Sequence, residues 1–403
     1  MVRPIARIAS VVLTVLIVGV LVGPATAQVA AAEPIPYVVH ARSLEEASAA
    51  ARAVGAHPVI EFSRAITGFT AWLRPSQAER LRTRPGVLNV EADRRMAPLP
   101  TRPTPNRVPL PATRVETNWG IDRIDQVALP LDHSFRVRAT GAGVTIYVFD
   151  TGVDVTHPEF GGRARVAFDA LDGQGPLGAL TTGGEEGAVV DEDCASHGTA
   201  VAGIAASATH GVAKEARIES VRVLDCAGTA NLTSLLAGIE WVAHHARRPA
   251  VAVMSWSYGP SEILRSAVAE LVRLGVFVAT SAGNSGGDEC GLAPRSADGV
   301  LVVANSTRDD RRAASSGTGG CVDLYAPGTA VVSVRSGGGS AVFTGTSIAA
   351  PHAAGVAALY KQVHGDAPSH VIEDWIVRTA VPDVVQGGGE GGTPNRLLYT
   401  GGL

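Results

Sequence analysis

Tyr147-Val148-Phe149-Asp150-Thr151-Gly152 is an apolar run that stops on a carboxylate and a glycine turn. With Val144, Thr145 and Ile146 ahead of it, the run has no polar face to offer to water, so it reads as a strand buried on both sides. Residues 218–223, 251–255 and 276–280 repeat the pattern, and helical stretches lie between them near 198–206, 232–244 and 262–274. Doubly buried strands alternating with helices predict an α/β domain of three layers around a mostly parallel sheet. In such sheets sites gather at the carboxyl ends of the strands, which is where Asp150 falls.

Two further fragments supply partners for that carboxylate. Ser196-His197-Gly198-Thr199 opens a small-residue helix with an imidazole, and Gly345-Thr346-Ser347-Ile348-Ala349-Ala350-Pro351-His352 delivers a hydroxyl at the start of an alanine-rich helix. A serine hydroxyl becomes a useful nucleophile when a neutral imidazole takes its proton, and an acceptor on the other ring nitrogen holds the imidazole in one tautomer. Ser347, His197 and Asp150 fill those three roles. Acyl transfer also builds negative charge on a carbonyl oxygen, for which the amide of Asn284, in Ser281-Ala282-Gly283-Asn284, and the backbone amide of Ser347 are candidate donors. Two rival readings fit the residues less well. A metal-dependent hydrolase built on Asp191, Glu192, Asp193, Cys194 and His197 lacks a second histidine at helical spacing. His157, set between Thr156 and Pro158, fits a turn better than a helix start.

The chain has 403 residues, 18% charged and 46% hydrophobic, with a formal net charge of -4. That suits a large buried core and offers no basic face for nucleic acid. Arg3 and Arg7 precede an apolar stretch over 8–22, followed by Pro24 and Ala25-Thr26-Ala27, so residues 1–27 read as a secretory signal and the remainder as an extracellular protein with no membrane attachment after its removal. Four cysteines, Cys194, Cys226, Cys290 and Cys321, suit two disulfides in an oxidising compartment, with three pairings open.

Ahead of the catalytic fragments, residues 36–96 have a rhythm of their own. Strand candidates at 37–40, 59–63, 68–73 and 87–92, with capping boxes at Ser43-Leu44-Glu45-Glu46 and Ser76-Gln77-Ala78-Glu79, give a β-α-β-β-α-β order, the ferredoxin-like arrangement. Pro98, Pro100, Pro103, Pro105, Pro109 and Pro111 then forbid regular structure across 97–115, which reads as a linker and processing region.

Taken together, these fragments resemble the subtilisin-like serine proteases, specifically the proteinase K group and its secreted aqualysin-type members. Trp119-Gly120-Ile121-Asp122-Arg123-Ile124-Asp125-Gln126, Phe160-Gly161-Gly162-Arg163-Ala164, Arg222-Val223-Leu224-Asp225-Cys226 and Pro394-Asn395-Arg396-Leu397-Leu398-Tyr399 match that subgroup. The resemblance implies a subtilisin-like fold over 116–403, a triad of Asp150, His197 and Ser347, and an oxyanion role for Asn284. It also implies a substrate channel edged by Gly228, Thr229, Ala230 and by Ser257, Tyr258, Gly259, which takes an extended peptide as an added strand. Disulfides Cys194–Cys226 and Cys290–Cys321 follow from the same resemblance. So does structural calcium on Asp122, Asp125, Gln126, Asp132 and Ser134, hard oxygens of the kind calcium prefers. At a second calcium position of the subgroup, Ala330 stands where the pattern has aspartate. Residues 36–96 resemble the inhibitory propeptide of these enzymes. The implied protein is a monomeric, self-processing zymogen of a secreted serine endopeptidase acting on polypeptides. Because its channel segments hold no charged side chain, it is expected to cleave broadly after apolar and aromatic residues.

Overall fold

The computed structural model describes residues 32–96, 118–171 and 193–403. The signal segment, the proline-rich linker and Asp191 and Glu192 lie outside the described residues. Pro34–Leu403 forms one compact unit.

Its first part runs β1 (Ile35–Ala41), α1 (Leu44–Val54), β2 (Ile60–Phe62), β3 (Gly68–Leu73), α2 (Pro75–Arg82) and β4 (Val87–Ala92), the order expected from the sequence. The strands form an antiparallel sheet in the order β2-β3-β1-β4. Ser43 caps α1, its hydroxyl accepting the Glu46 amide at 3.2 Å. The second helix starts earlier than the Ser76 box suggests. Pro75 takes the first helical position, where its fixed φ suits the helix and its missing donor costs nothing, and Gln77 reaches back to the Arg74 amide at 2.8 Å.

The larger part contains α3 (Trp119–Ile124), β5 (Thr145–Asp150), β6 (Ala164–Asp169), α4 (His197–Ala206), β7 (Arg217–Arg222), α5 (Leu232–His245), β8 (Ala250–Met254), α6 (Glu262–Arg273), β9 (Val276–Ser281), β10 (Val300–Ser306), β11 (Leu324–Pro327), the hairpin β12 (Val331–Val334) and β13 (Ser340–Phe343), α7 (Thr346–His364), α8 (Ser369–Thr379), β14 (Val381–Pro382) and β15 (Arg396–Leu397). Nine strands lie in the order β14-β15-β11-β10-β9-β8-β5-β7-β6, all parallel except β14. The quoted run sits near the middle. Along β5, Ile146 and Val148 enter the core beneath α4 and α7, while Tyr147 and Phe149 enter the core beneath α5 and α6, so the period of two supplies both layers. Chain order reverses at β5, which pairs with β7 on one side and β8 on the other, opening a crevice at the strand ends beside Asp150.

The small sheet docks on the α5 and α6 side of the large one. Asp93 accepts the Thr233 amide and Glu91 the Ile263 amide, both at 3.0 Å, so two acidic side chains sit at the positive starts of two helices. Glu240 of α5 receives the amides of Ser63 at 2.7 Å, Arg64 at 3.0 Å and Ala65 at 2.7 Å, which otherwise have no partner in their turn.

Candidate active site

Asp150 and His197 are brought together by the packing of α4 across the end of β5. Gly198 permits it: a Cβ there would overlap the Gly152 carbonyl oxygen and meet Asp150 Cβ at 2.9 Å. Ser196 adopts a left-handed conformation, φ 58°, to turn the chain into the helix, a strain held by its surroundings. The result is a contact of 2.7 Å between His197 Nδ1 and Asp150 Oδ1, with both side chains buried. Burial alone would lower the imidazole's affinity for protons, but Asp150 in contact and Asp193 nearby outweigh it and hold His197 above its usual pKa.

A shell behind this pair escaped the sequence reading. Thr151 Oγ donates to Asp193 Oδ1 at 2.7 Å and accepts the Gly198 amide at 3.1 Å, while Asp193 Oδ2 accepts the Thr199 amide at 2.8 Å. Asp193 thus holds the first turn of α4 over the end of β5. Its neighbour Cys194 is bonded to Cys226, and Cys290 to Cys321. The disulfide leaves Cys194 no thiolate for a metal. His157 caps a turn, its Nδ1 accepting the Glu159 amide at 3.2 Å and its Nε2 facing the Gly339 carbonyl at 3.1 Å.

Ser347 lies at the second position of α7, after Gly345. Its backbone carbonyl would bond the amide four residues on, but that residue is Pro351, and Ser255 Oγ supplies the donor instead at 3.1 Å. Thr346 joins the turn that bears Ser347 to the segment that bears Asn284: its amide donates to Asn284 Oδ1 at 2.9 Å, and its hydroxyl accepts the Gly283 amide at 3.2 Å. With Oδ1 so anchored, the Asn284 amino group is the part left to face a substrate. Ser347 Oγ and His197 Nε2 are both buried, and neither has a hydrogen-bond partner among the described residues.

The tail of the small domain runs along the expected channel edges. Met96 donates its amide to Ala230 O at 2.8 Å, Arg95 bridges Asn231 in antiparallel fashion, and Arg95 Nε reaches Thr229 Oγ at 2.7 Å. Opposite, Tyr258 donates its hydroxyl to Arg94 O at 2.9 Å, and its amide to Ala293 O at 2.8 Å. Gly228 closes the turn under Asp225, with φ 70°. Gly259 borders this edge without a side chain, and Ser257 Oγ is taken by the buried Arg295 at 2.6 Å.

In the loop proposed for calcium, Asp122 is buried, with Oδ2 accepting the His133 amide at 3.1 Å and Oδ1 left without a partner among the described residues. Asp125 accepts the Arg136 amide at 2.5 Å, Asp132 accepts Ser134 Oγ at 2.5 Å and the Arg136 guanidinium at 2.6 Å, and Gln126 Oε1 accepts the Asp132 amide at 3.2 Å. Burial raises the pKa of Asp122 and Asp125, and the negative charge of Asp132 raises both further. No cluster of three or more His, Cys, Asp or Glu poised to hold a metal occurs among the described residues.

No helix among the described residues is long and apolar enough to cross a membrane. The Subtilase family profile matches residues 141–398, and the Peptidase inhibitor I9 profile matches residues 32–97. The chain is 40% identical to an alkaline serine exoprotease A of Vibrio alginolyticus over 84% of its own length and 59% of that protein. It is 38% identical to an extracellular serine proteinase of a Thermus species over 84% of its own length and 77% of that protein. Among solved structures, a cold adapted subtilisin-like serine proteinase superposes with a TM-score of 0.65 at 39% identity, over 71% of this chain and 98% of the other. A doubly wound parallel sheet ending in an Asp–His contact, a serine at a helix start, an inhibitor-type domain bridged to the larger one, and these matches lead to one assignment: the chain belongs to the subtilase family of serine proteases and carries a peptidase inhibitor I9 propeptide domain.

Proposed function

We propose that the protein is a secreted serine endopeptidase made as a self-processing zymogen, with residues 1–27 as signal, 36–96 as inhibitory propeptide, 97–115 as the processing region and 116–403 as the catalytic domain. The observation that carries this reading is the 2.7 Å contact of Asp150 with His197, together with a propeptide tail bridged to the edge at 229–231 as a substrate strand would be. In the reaction, neutral His197 holds its Nδ1 proton toward Asp150 and takes the Ser347 hydroxyl proton on Nε2 as Oγ bonds to the substrate carbonyl carbon. The negative charge passes to the carbonyl oxygen, which the Asn284 amino group and the Ser347 amide receive. His197 then protonates the leaving amine, and water releases the acyl group by the same steps in reverse roles. The unmade Ser347–His197 bond belongs to the inhibited precursor and closes once substrate is bound, as catalytic hydrogen bonds commonly do.

Gly228, Thr229, Ala230, Ser257, Tyr258 and Gly259 are the substrate edges in this reading, and the preferred residue before the scissile bond is apolar or aromatic. The partners are polypeptide substrates and the protein's own propeptide, and the mature enzyme acts as a monomer. Asp122, Asp125, Gln126, Asp132 and Ser134 would hold a structural calcium, a fit supported by the unpartnered Asp122 Oδ1 and the mutual repulsion of the loop's carboxylates. Bound calcium would neutralise that charge and lock the loop, and chelation should then lower the unfolding temperature.

The deciding test compares the full precursor with its Ser347→Ala variant. Wild type should cut itself within 97–115 and hydrolyse casein, and the variant should do neither. Equal processing by both would show that cleavage is not autocatalytic.

A further inference from the structure

Two charged side chains tie together the chain segments at 257–259 and 281–284. Arg295 is 3% exposed, and its guanidinium forks across both of those segments: Nε donates to Ser281 O at 2.9 Å and one terminal nitrogen to Ser257 Oγ at 2.6 Å. The other terminal nitrogen meets Glu289 at 3.2 Å. Glu289 accepts the Ser285 amide at 2.9 Å and lies where a side chain on Gly283 would have to go. Gly283 immediately precedes Asn284, and Ser255, two residues before Ser257, holds the carbonyl of Ser347. The segments that carry Asn284 and that anchor the Ser347 carbonyl are therefore the segments that this ion pair braces. Glu289 keeps 14% of its side chain exposed, whereas the Arg295 side chain has none.

We propose that Glu289 forms the floor of the slot that receives the side chain preceding the scissile bond, and that Arg295 masks its charge so that uncharged side chains are selected. The inference rests on the roles given above to Ser347 and Asn284. A charged guest of either sign finds both members already paired with each other, so neither is free to compensate the guest's own desolvation, and an uncharged side chain loses nothing by entering. Removing either member leaves the other uncompensated in a partly desolvated site, where it attracts a guest of opposite charge.

The experiment uses mature enzyme and four peptide anilides that differ only in carrying phenylalanine, leucine, lysine or glutamate before the scissile bond. Arg295→Met should raise the lysine-to-phenylalanine ratio of kcat/KM tenfold or more. Glu289→Gln should raise the glutamate-to-phenylalanine ratio by a similar factor, and carries the test alone if Arg295→Met does not fold. The double variant should return both ratios toward wild type. Ratios within twofold of wild type in variants that still react stoichiometrically with a fluorophosphonate would overturn the inference and leave the protease reading intact. A wild-type protein that neither cleaves the phenylalanine substrate nor reacts with the fluorophosphonate would overturn both.

Discussion

Ser255 Oγ donates to the backbone carbonyl of Ser347 at 3.1 Å, filling the bond that Pro351 cannot make. Helix α7 is thus anchored to the end of β8 at the turn where its own ladder is broken. In Ser255→Ala that carbonyl is left buried and unpaired, at a cost of ~1–3 kcal/mol. The expected result is a lower unfolding temperature and a kcat loss larger than the change in KM, because the displaced group is the attacking one. Unaltered kcat in Ser255→Ala would show that the anchor is dispensable.

Gly198→Ala drives a methyl group into Gly152 and Asp150. The backbone is the obstacle, so the helix must lift, and overpacking of this kind costs ~1–3 kcal/mol. Peptidase activity should fall by a far larger factor than stability does, since the 2.7 Å contact of His197 with Asp150 opens. Retention of wild-type kcat/KM would contradict this packing account.

The acid limb of the kcat/KM profile should lie above the ordinary imidazole value of about 6.5, because Asp150 and Asp193 overcome burial and favour the protonated ring, and only the neutral ring acts as base. Asp193→Asn removes one of those charges, so the limb should move to lower pH while the triad stays complete. A limb that stays in place would exclude Asp193 from the electrostatics.

Asp323 is buried, and burial raises its pKa from 3.8 to about 7. A carboxyl group whose folded pKa exceeds its unfolded one favours folding below the unfolded value and loses that contribution as pH rises through the folded value. At pH 8 the folded protein therefore carries a penalty of up to ~4 kcal/mol from this group. Asp323→Asn keeps an acceptor for the Val302 amide, which is 2.7 Å away, and should stabilise the chain at pH 8 but not at pH 4. Denaturant melts at both pH values, in a Ser347→Ala background to prevent self-digestion, measure it.

Glu240 gathers three amides of the propeptide turn over Ser63, Arg64 and Ala65. Bonds to a charged acceptor contribute ~1.5–3 kcal/mol each before the cost of desolvation. Glu240→Ala should weaken inhibition of the mature enzyme by added propeptide at least tenfold without changing kcat on a small peptide. An unchanged inhibition constant would mean that the tail alone supplies the affinity.

Much of this architecture could be read in advance because it is written in local patterns. Unbroken apolar runs announced β5, β8 and β9 to within a residue or two, and the first helix of the propeptide lay where its capping residue Ser43 put it. Ser76 misled by two residues because Pro75 is the stronger start signal. Asp150, His197 and Ser347 stood out because each closes or opens an element with the right chemistry.

The supporting residues could not be found that way. Asp193 reaches Thr151, Ser255 the Ser347 carbonyl, Glu240 the turn at 63–65 and Arg295 the Ser257 hydroxyl, partners far along the chain that only the fold brings close. The alternation of strands and helices and the candidate reacting groups were legible in short stretches of the chain, since periodicity and capping operate over a few residues. Which carboxylate meets which helix start, and where the propeptide tail pairs with the larger domain, depended on the fold. Those are long-range contacts, and burial and hydrogen-bond geometry select them after the elements have formed.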